Sequence, residues 1–190
     1  GKSGFKGKLM PGTVRRLSTY RFRETDRLLF DANVWLFLYS PHYGPNDNRV
    51  RTYSGAVKSA LTVQSHIFVD ALVLSEFINA WARFIYNKLP APIKPKDFKT
   101  YRNSSVFRPV AKGIADACRR ILAYATRIDS EFSSLNIDAV LSGYEAGRTD
   151  FNDHVIAELC NRKQLTLVTD DADLKGLTLN ISTENKRLLA

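Results

Sequence analysis

A chain of 190 residues suits one compact α/β domain with a sizeable core. Hydrophobic residues make up 44% and charged residues 25%, a balance that excludes a fibrous or wholly disordered protein. No apolar run reaches the roughly 18 residues of a membrane span, and the net charge of +9 suits a polyanionic partner.

In chain order, residues 1–27 read as a basic N-terminal arm. They hold eight lysines and arginines against Glu24 and Asp26, and no apolar stretch follows that would make them a signal peptide. Both a solvated tail and an arm that seeks a polyanion fit this pattern. Gly1 is not a natural start, which leaves Met10 open as the native first residue and the residues before it as scar. The folded domain is expected over 28–181. Leu28-Leu29-Phe30-Asp31 opens it as a short buried strand, followed by a helix over 32–39, a loop over 41–48 and a helix over 50–63. Residues 67–69 are a second strand, and 71–86 carry Leu74, Phe77, Ile78, Trp81, Phe84 and Ile85 at helical spacing. Pro90, Pro92, Pro95 and Pro109 make 89–109 a loop or hinge. One apolar stripe runs through 110–128, predicting a single helix. A weaker helix over 137–147 comes next, then one capped by Asn152 or Asp153. A buried strand over 165–169, a short last strand over 178–181 and a polar tail over 182–190 complete the chain. Strands alternating with helices predict βαβ units and a parallel sheet covered on both faces.

Cys118 and Cys160 lie far apart inside apolar helical patterns and read as buried thiols. No Cys/His spacing suggests zinc, and a reducing cytoplasm is the natural setting. His42, His66 and His154 have no partner set that would serve a serine or cysteine nucleophile.

The acids occupy telling places. Asp31 follows one apolar strand, and Asp170 and Asp171 follow another. Ligands of open parallel sheets bind beyond the carboxyl ends of the strands, so these side chains converge. Glu76 is flanked by apolar residues on both sides, and Asp153 stands at a helix start with Asp150 three residues before it. Taken singly, each has an ordinary role as a turn residue, a cap or an ion-pair partner. Taken together, they form a carboxylate cluster that repels itself unless a cation neutralises it. Hard oxygen ligands favour Mg²⁺ or Mn²⁺, and such a site suits phosphodiester hydrolysis.

Four blocks in this order resemble a PIN domain. They are Leu29-Phe30-Asp31-Ala32-Asn33, Leu74-Ser75-Glu76-Phe77, Asp150-Phe151-Asn152-Asp153-His154-Val155-Ile156-Ala157 and Leu167-Val168-Thr169-Asp170-Asp171-Ala172-Asp173-Leu174. The resemblance spans roughly 28–181. It implies a PIN-like three-layer α/β/α sandwich with a mostly parallel sheet of about five strands, and Mg²⁺- or Mn²⁺-dependent endoribonuclease activity. It implies that Asp31, Glu76, Asp153 and Asp171 are the catalytic, metal-binding acids. Asp150 is implied as an outer ligand, Asp170 or Asp173 as sharing the fourth role, and Asn33 and Thr169 as orienting residues. It further implies a VapC-like toxin, an antitoxin partner and a homodimer. The basic arm and the long stretch over 87–109 depart from the compact toxins of that kind. In that stretch Lys94, Lys96, Lys99, Tyr101 and Arg102 mix cations with aromatics, as single-stranded RNA binders do. A solvated loop with its aromatics docked on the core is the competing reading. Three other functions compete with the toxin: a PIN ribonuclease of housekeeping RNA processing, a non-catalytic PIN-like binding module, and a phosphotransfer fold with a nucleophilic aspartate. Asp31-Ala32-Asn33 lacks the second acid that the last one needs.

Overall fold

The computed structural model describes residues 12–147 and 149–190. Lys2, Lys6 and Lys8 of the expected arm, and the question of Met10, lie outside the described residues. The sheet is parallel throughout and has six strands, β1 (Val14–Arg16), β2 (Arg27–Phe30), β3 (His66–Asp70), β4 (Thr126–Ile128), β5 (Thr166–Val168) and β6 (Asn180–Thr183). Their spatial order is β1-β6-β5-β2-β3-β4. The central strands β2 and β5 bury Leu28, Leu29, Phe30, Leu167 and Val168 almost completely, as a sheet covered on both faces requires.

Three helical units connect the strands. Helices α1 (Ala32–Tyr39) and α2 (Asn48–Thr62) carry β2 to β3. Helices α3 (Ala71–Lys88), α4 (Phe98–Arg102) and α5 (Phe107–Tyr124) carry β3 to β4. Both crossovers move the same way along the sheet, so right-handed connection puts them on one face; accordingly α1 packs on α2 and α3, and α3 on α5. Helices α6 (Ile137–Glu145) and α7 (Phe151–Lys163) return from β4 to β5 and cover the opposite face. The result is the α/β/α sandwich that the alternation of elements predicts.

Four sequence expectations are corrected. The stretch read as an arm contributes β1, which pairs with β6 through Val14↔Ile181 and Arg16↔Thr183. Gly12 allows this docking, since a Cβ there would stand 2.3 Å from the Leu179 carbonyl oxygen. The stripe over 110–128 is not one helix: α5 ends at Tyr124 and the chain turns into β4, because Ala125 is already extended. The proline-rich stretch holds α4 and the first residues of α5 rather than a plain loop. The polar tail contains the end of β6 and a short helix, α8 (Lys186–Leu189), anchored by buried Leu188.

Candidate active site

The crossover geometry decides which residues meet. A helix that follows or precedes a parallel strand runs antiparallel to it, so helix N-termini lie at the carboxyl edge of the sheet. Asp31 ends β2 and caps α1, and Asp150 caps α7. The positive ends of these helix dipoles face the acids and offset part of their repulsion.

Asp31 is 7% exposed and takes three short hydrogen bonds. The Ala32 amide, the Asn33 Nδ2 and the Thr169 Oγ1 each donate to its carboxylate at 2.6 Å. Thr169 is fully buried, and its hydroxyl also accepts from Asn33 Nδ2 at 3.1 Å and from the Asp171 amide at 3.0 Å. Asn33 closes the ring by accepting from the Asp170 amide at 3.2 Å. Thr169 is therefore the junction that ties the end of β5 to Asp31 and sets the backbone of Asp171. Burial pushes the Asp31 carboxyl above its ordinary range, and the charge of Asp171 adds to this; the bonds from Thr169, Ala32 and Asn33 oppose it.

Asp153 sits in the first turn of α7 in a capping box with Asp150. The Asp153 amide donates to Asp150 at 2.9 Å, and the Asp150 amide to Asp153 at 3.4 Å. Its carboxyl is raised to about 7 by withdrawal from water and by the charges of Asp150, Asp171 and Asp31. Glu76, in the second turn of α3, is also raised to about 7, by withdrawal from water and then by Asp31, Asp153, Asp150 and Asp171. Glu76 is an exposed residue on α3, so solvent screens part of this effect. The structure thus brings Asp31, Glu76, Asp150, Asp153 and Asp171 into one electrostatic field. Asp31 and Asp171 come from beyond the ends of β2 and β5, Asp150 and Asp153 from the start of α7, and Glu76 from the opposite helical layer.

Other expected residues stand elsewhere. The Asp170 carboxylate turns away from this group and accepts from the Tyr53 hydroxyl at 2.8 Å, with Arg49 among the charges acting on it. Asp173 is exposed in the turn that Asp171 caps. Tyr101 is fully buried in an aromatic cluster with Tyr86, Phe98 and Phe107, which leaves it no free face for a base. Lys94 lies over the Tyr86 ring and Arg102 over that of Phe98, and Lys96, Lys99 and Arg102 are exposed.

Two residues escaped the sequence reading. Asp70 ends β3 as Asp31 ends β2; it is 2% exposed and caps α3 by accepting from the Leu72 amide at 2.7 Å. Its signal, an acid directly after Ile67-Phe68-Val69, was as plain as that of Asp31. Tyr53 is fully buried on α2; its one hydroxyl proton is shared between the Asp170 carboxylate at 2.8 Å and the Thr169 carbonyl at 3.0 Å, and its oxygen accepts from the Glu184 amide at 3.1 Å. It clamps the carboxyl ends of β5 and β6, and a tyrosine on one side of an amphipathic helix gives no hint of that.

Among the described residues, no group of three or more His, Cys, Asp or Glu side chains is arranged to hold a metal ion as it stands. The donor set nonetheless fits a hard divalent cation, because Mg²⁺ binds through one or two carboxylates and keeps several waters. The mutual field that lifts Glu76 and Asp153 to about 7 is what such a cation relieves.

The fold is that of a PIN-like α/β/α sandwich. A chain in the crystal structure of VapBC2 from Rickettsia felis, bound to a DNA fragment from their promoter, is similar to this one with a TM-score of 0.52. The match covers 82% of this chain and 97% of that one at 15% identity, a likeness of fold alone. No family model and no curated protein matches the sequence.

Proposed function

We propose that this protein is a metal-dependent endoribonuclease, with Asp31, Glu76, Asp153 and Asp171 as the catalytic acids that hold Mg²⁺ or Mn²⁺ and Asp150 as an outer ligand. The observation that carries the reading is the shared field of acids drawn from four elements at one sheet edge. Structural ion networks also perturb acids, but here the largest charges acting on Glu76 and Asp153 are all negative. A cation held there supplies charge for the phosphoryl oxygens and activation of water. The chain's own residues do the rest. Thr169 and Asn33 hold Asp31 in one orientation, and Asp153 is fixed by its capping box.

RNA is the substrate that the PIN resemblance and the net charge of +9 support. The VapBC2 neighbour favours the toxin form of this reading, with an antitoxin as partner. Homodimerisation belongs to the same reading. An apolar recess of ≈ 350 Å³ beside α3 and α5, lined by Ile78, Phe107, Ile114 and Cys118, offers a surface for either association.

The test is incubation with labelled single-stranded RNA in Mg²⁺, Mn²⁺ or EDTA, with Asp31→Ala alongside. Cleavage should require the cation, and Asp31→Ala should lose more than the ~10–100-fold that removal of an outer-shell partner costs. Equal cleavage by Asp31→Ala would sink the assignment.

A further inference from the structure

We infer that the protein carries a second substrate site, an arginine-lined recess that seats the phosphates of the RNA strand away from the carboxylates. An open recess of ≈ 680 Å³ lies beside β1 and the segment that follows it. Four guanidiniums line it, those of Arg15, Arg16, Arg21 and Arg23, together with the hydroxyl-bearing Thr19 and Tyr20.

The charges of the recess are poorly balanced. Arg16 pairs with Glu184 at 3.2 Å. Asp26, the one acid of the lining, accepts from the Arg23 backbone amide at 2.9 Å. Arg15, Arg21 and Arg23 form no salt bridge among the described residues. All four arginines are exposed. Guanidiniums present planar forks of donors that match phosphate oxygens, and hydroxyls add further donors.

The β1 end of the recess lies toward the cleavage edge, while its other end, at Arg23 and Asp26, lies by the amino ends of β2 and β3, where Ser65 Oγ donates to the Arg23 carbonyl and the His66 amide to that of Asp26. The sheet register runs in one row from Phe30 to Val168, Ser182 and Arg15. Asp31 and Arg16 each lie one residue further, so they stand at the same carboxyl edge. Three strand spacings separate them, roughly 14 Å, about four nucleotides at the ~3.4 Å step of a duplex strand. Helix α8 packs on both β1 and the turn Ala172–Leu174 that Asp171 caps, and its exposed Lys186 and Arg187 carry positive charge across the gap. The electrostatics call for such a site. The main charges that act on Glu76 and Asp153 are those of neighbouring aspartates, so the acid centre repels a polyanion. Affinity for a strand must come from cations elsewhere on its path.

The choice of RNA rests on the nuclease reading; the recess as a backbone site does not. The test is therefore binding of a labelled single-stranded RNA by anisotropy in EDTA, where no cleavage is required. The variants are Arg15→Ala/Arg21→Ala/Arg23→Ala and a control of equal charge change, Lys58→Ala/Lys112→Ala/Arg120→Ala, at exposed positions on α2 and α5. The recess variant should bind on the order of 10–100-fold more weakly, with a salt slope lower by up to ~2, while the control changes about 2-fold or less. Should the triple variant fail to fold, Arg21→Ala/Arg23→Ala, confined to the loop before β2, should show the same separation from a double control. Equal losses in recess and control variants would overturn the proposal, as would unchanged RNA affinity in the recess variant. Inorganic phosphate alone should displace RNA only at concentrations that match its ionic strength; displacement at far lower concentrations would mean a site for free phosphate and would also overturn it. If the parent binds RNA through the recess and cleaves nothing in Mg²⁺, the nuclease reading falls while the backbone site stands.

Discussion

Thr169→Val is the sharpest perturbation of the acid centre, because it removes one hydroxyl and keeps the shape. That hydroxyl donates to Asp31 at 2.6 Å and accepts from the Asp171 amide at 3.0 Å and Asn33 at 3.1 Å. A hydrogen bond to a charged group contributes about 1.5–3 kcal/mol, and a buried donor left without a partner costs about 1–3 kcal/mol. The Asp171 amide is only partly buried and water can replace its partner, so the expected loss at pH 8 is about 3 kcal/mol. The sign with pH follows from Asp31. Its folded-state pKa is already raised by burial, and Thr169 is the largest influence holding it down. The valine variant raises it further, and each added unit corresponds to about 1.4 kcal/mol. The penalty is thus full above that pKa and fades as pH falls through it, since a protonated Asp31 no longer needs a charge-assisted donor. Urea melts in EDTA over a series of pH values from 8 downward measure this directly. Thr169→Ser keeps the hydroxyl and loses a methyl, so it should cost about 1 kcal/mol throughout the series. A valine penalty below 1 kcal/mol at pH 8, or one that stays constant over the whole acid range in which the parent remains folded, would refute the role given to Thr169.

Without a divalent cation, stability should fall as pH rises from about 4 to 7. The folded pKa values of Glu76 and Asp153, about 7, exceed those of the unfolded chain, so in that window the folded state binds more protons. After discounting for solvent access the effect is on the order of 1–2 kcal/mol per group, and Mg²⁺ should restore it at pH 8; a flat cation-free profile would count against the shared field. Tyr53→Phe should destabilise the protein by about 2 kcal/mol in thermal or urea melts, because the Glu184 amide and the Thr169 carbonyl lose a common partner. Gly143→Ala places a Cβ 2.3 Å from the His154 ring, which hydrogen-bonds Thr149 at 2.6 Å, so overpacking of about 1–3 kcal/mol is expected. An unchanged melting temperature there would mean that His154 swings aside freely.

The central sheet was legible because its strands are short, apolar on both faces and end in acids, a pattern that neither a helix nor an exposed strand produces. The edges were not. β1 is exposed along its length, so Val14-Arg15-Arg16 carries no burial signal, and its pairing depends on Gly12 approaching Leu179. β4 was lost inside a helix pattern because Ile128 falls in phase with the stripe of α5, and the break at Ala125 has no glycine or proline to mark it. The acids at strand ends could be read singly, whereas Tyr101 could not: its aromatic neighbours in sequence suit both a stacking surface and a buried cluster, and only packing decides between them. Asp170 and Asp171 present the same problem at closer range. Alternation past the end of β5 sends their side chains apart, and the hydroxyl of Tyr53 draws the first away from the acids.

The acid centre and the arginine recess impose opposite demands, and the fold meets them by separation. Carboxylates that must share a cation repel one another and the strand they act on, so they need a frame that holds them before the cation arrives. Thr169, Asn33 and the capping box of Asp150 and Asp153 supply that frame with hydrogen bonds. Cations placed among these acids would pair with them and quench the field, leaving nothing for a metal or for phosphate. Placing the arginines on β1, three strands from Asp31, and in the segment after it keeps them from pairing with the catalytic acids; only Arg16 meets a carboxylate, that of Glu184. It follows that the two functions should fail separately. Asp31→Ala should lose cleavage and keep RNA affinity, or gain some, because a repelling charge is removed. Arg21→Ala/Arg23→Ala should lose affinity while leaving the cation-dependent stability of the acid centre unchanged. A single variant of either set that lost both properties while remaining folded would show that the strand and the cation share one site, and this division of charge would then have to be abandoned.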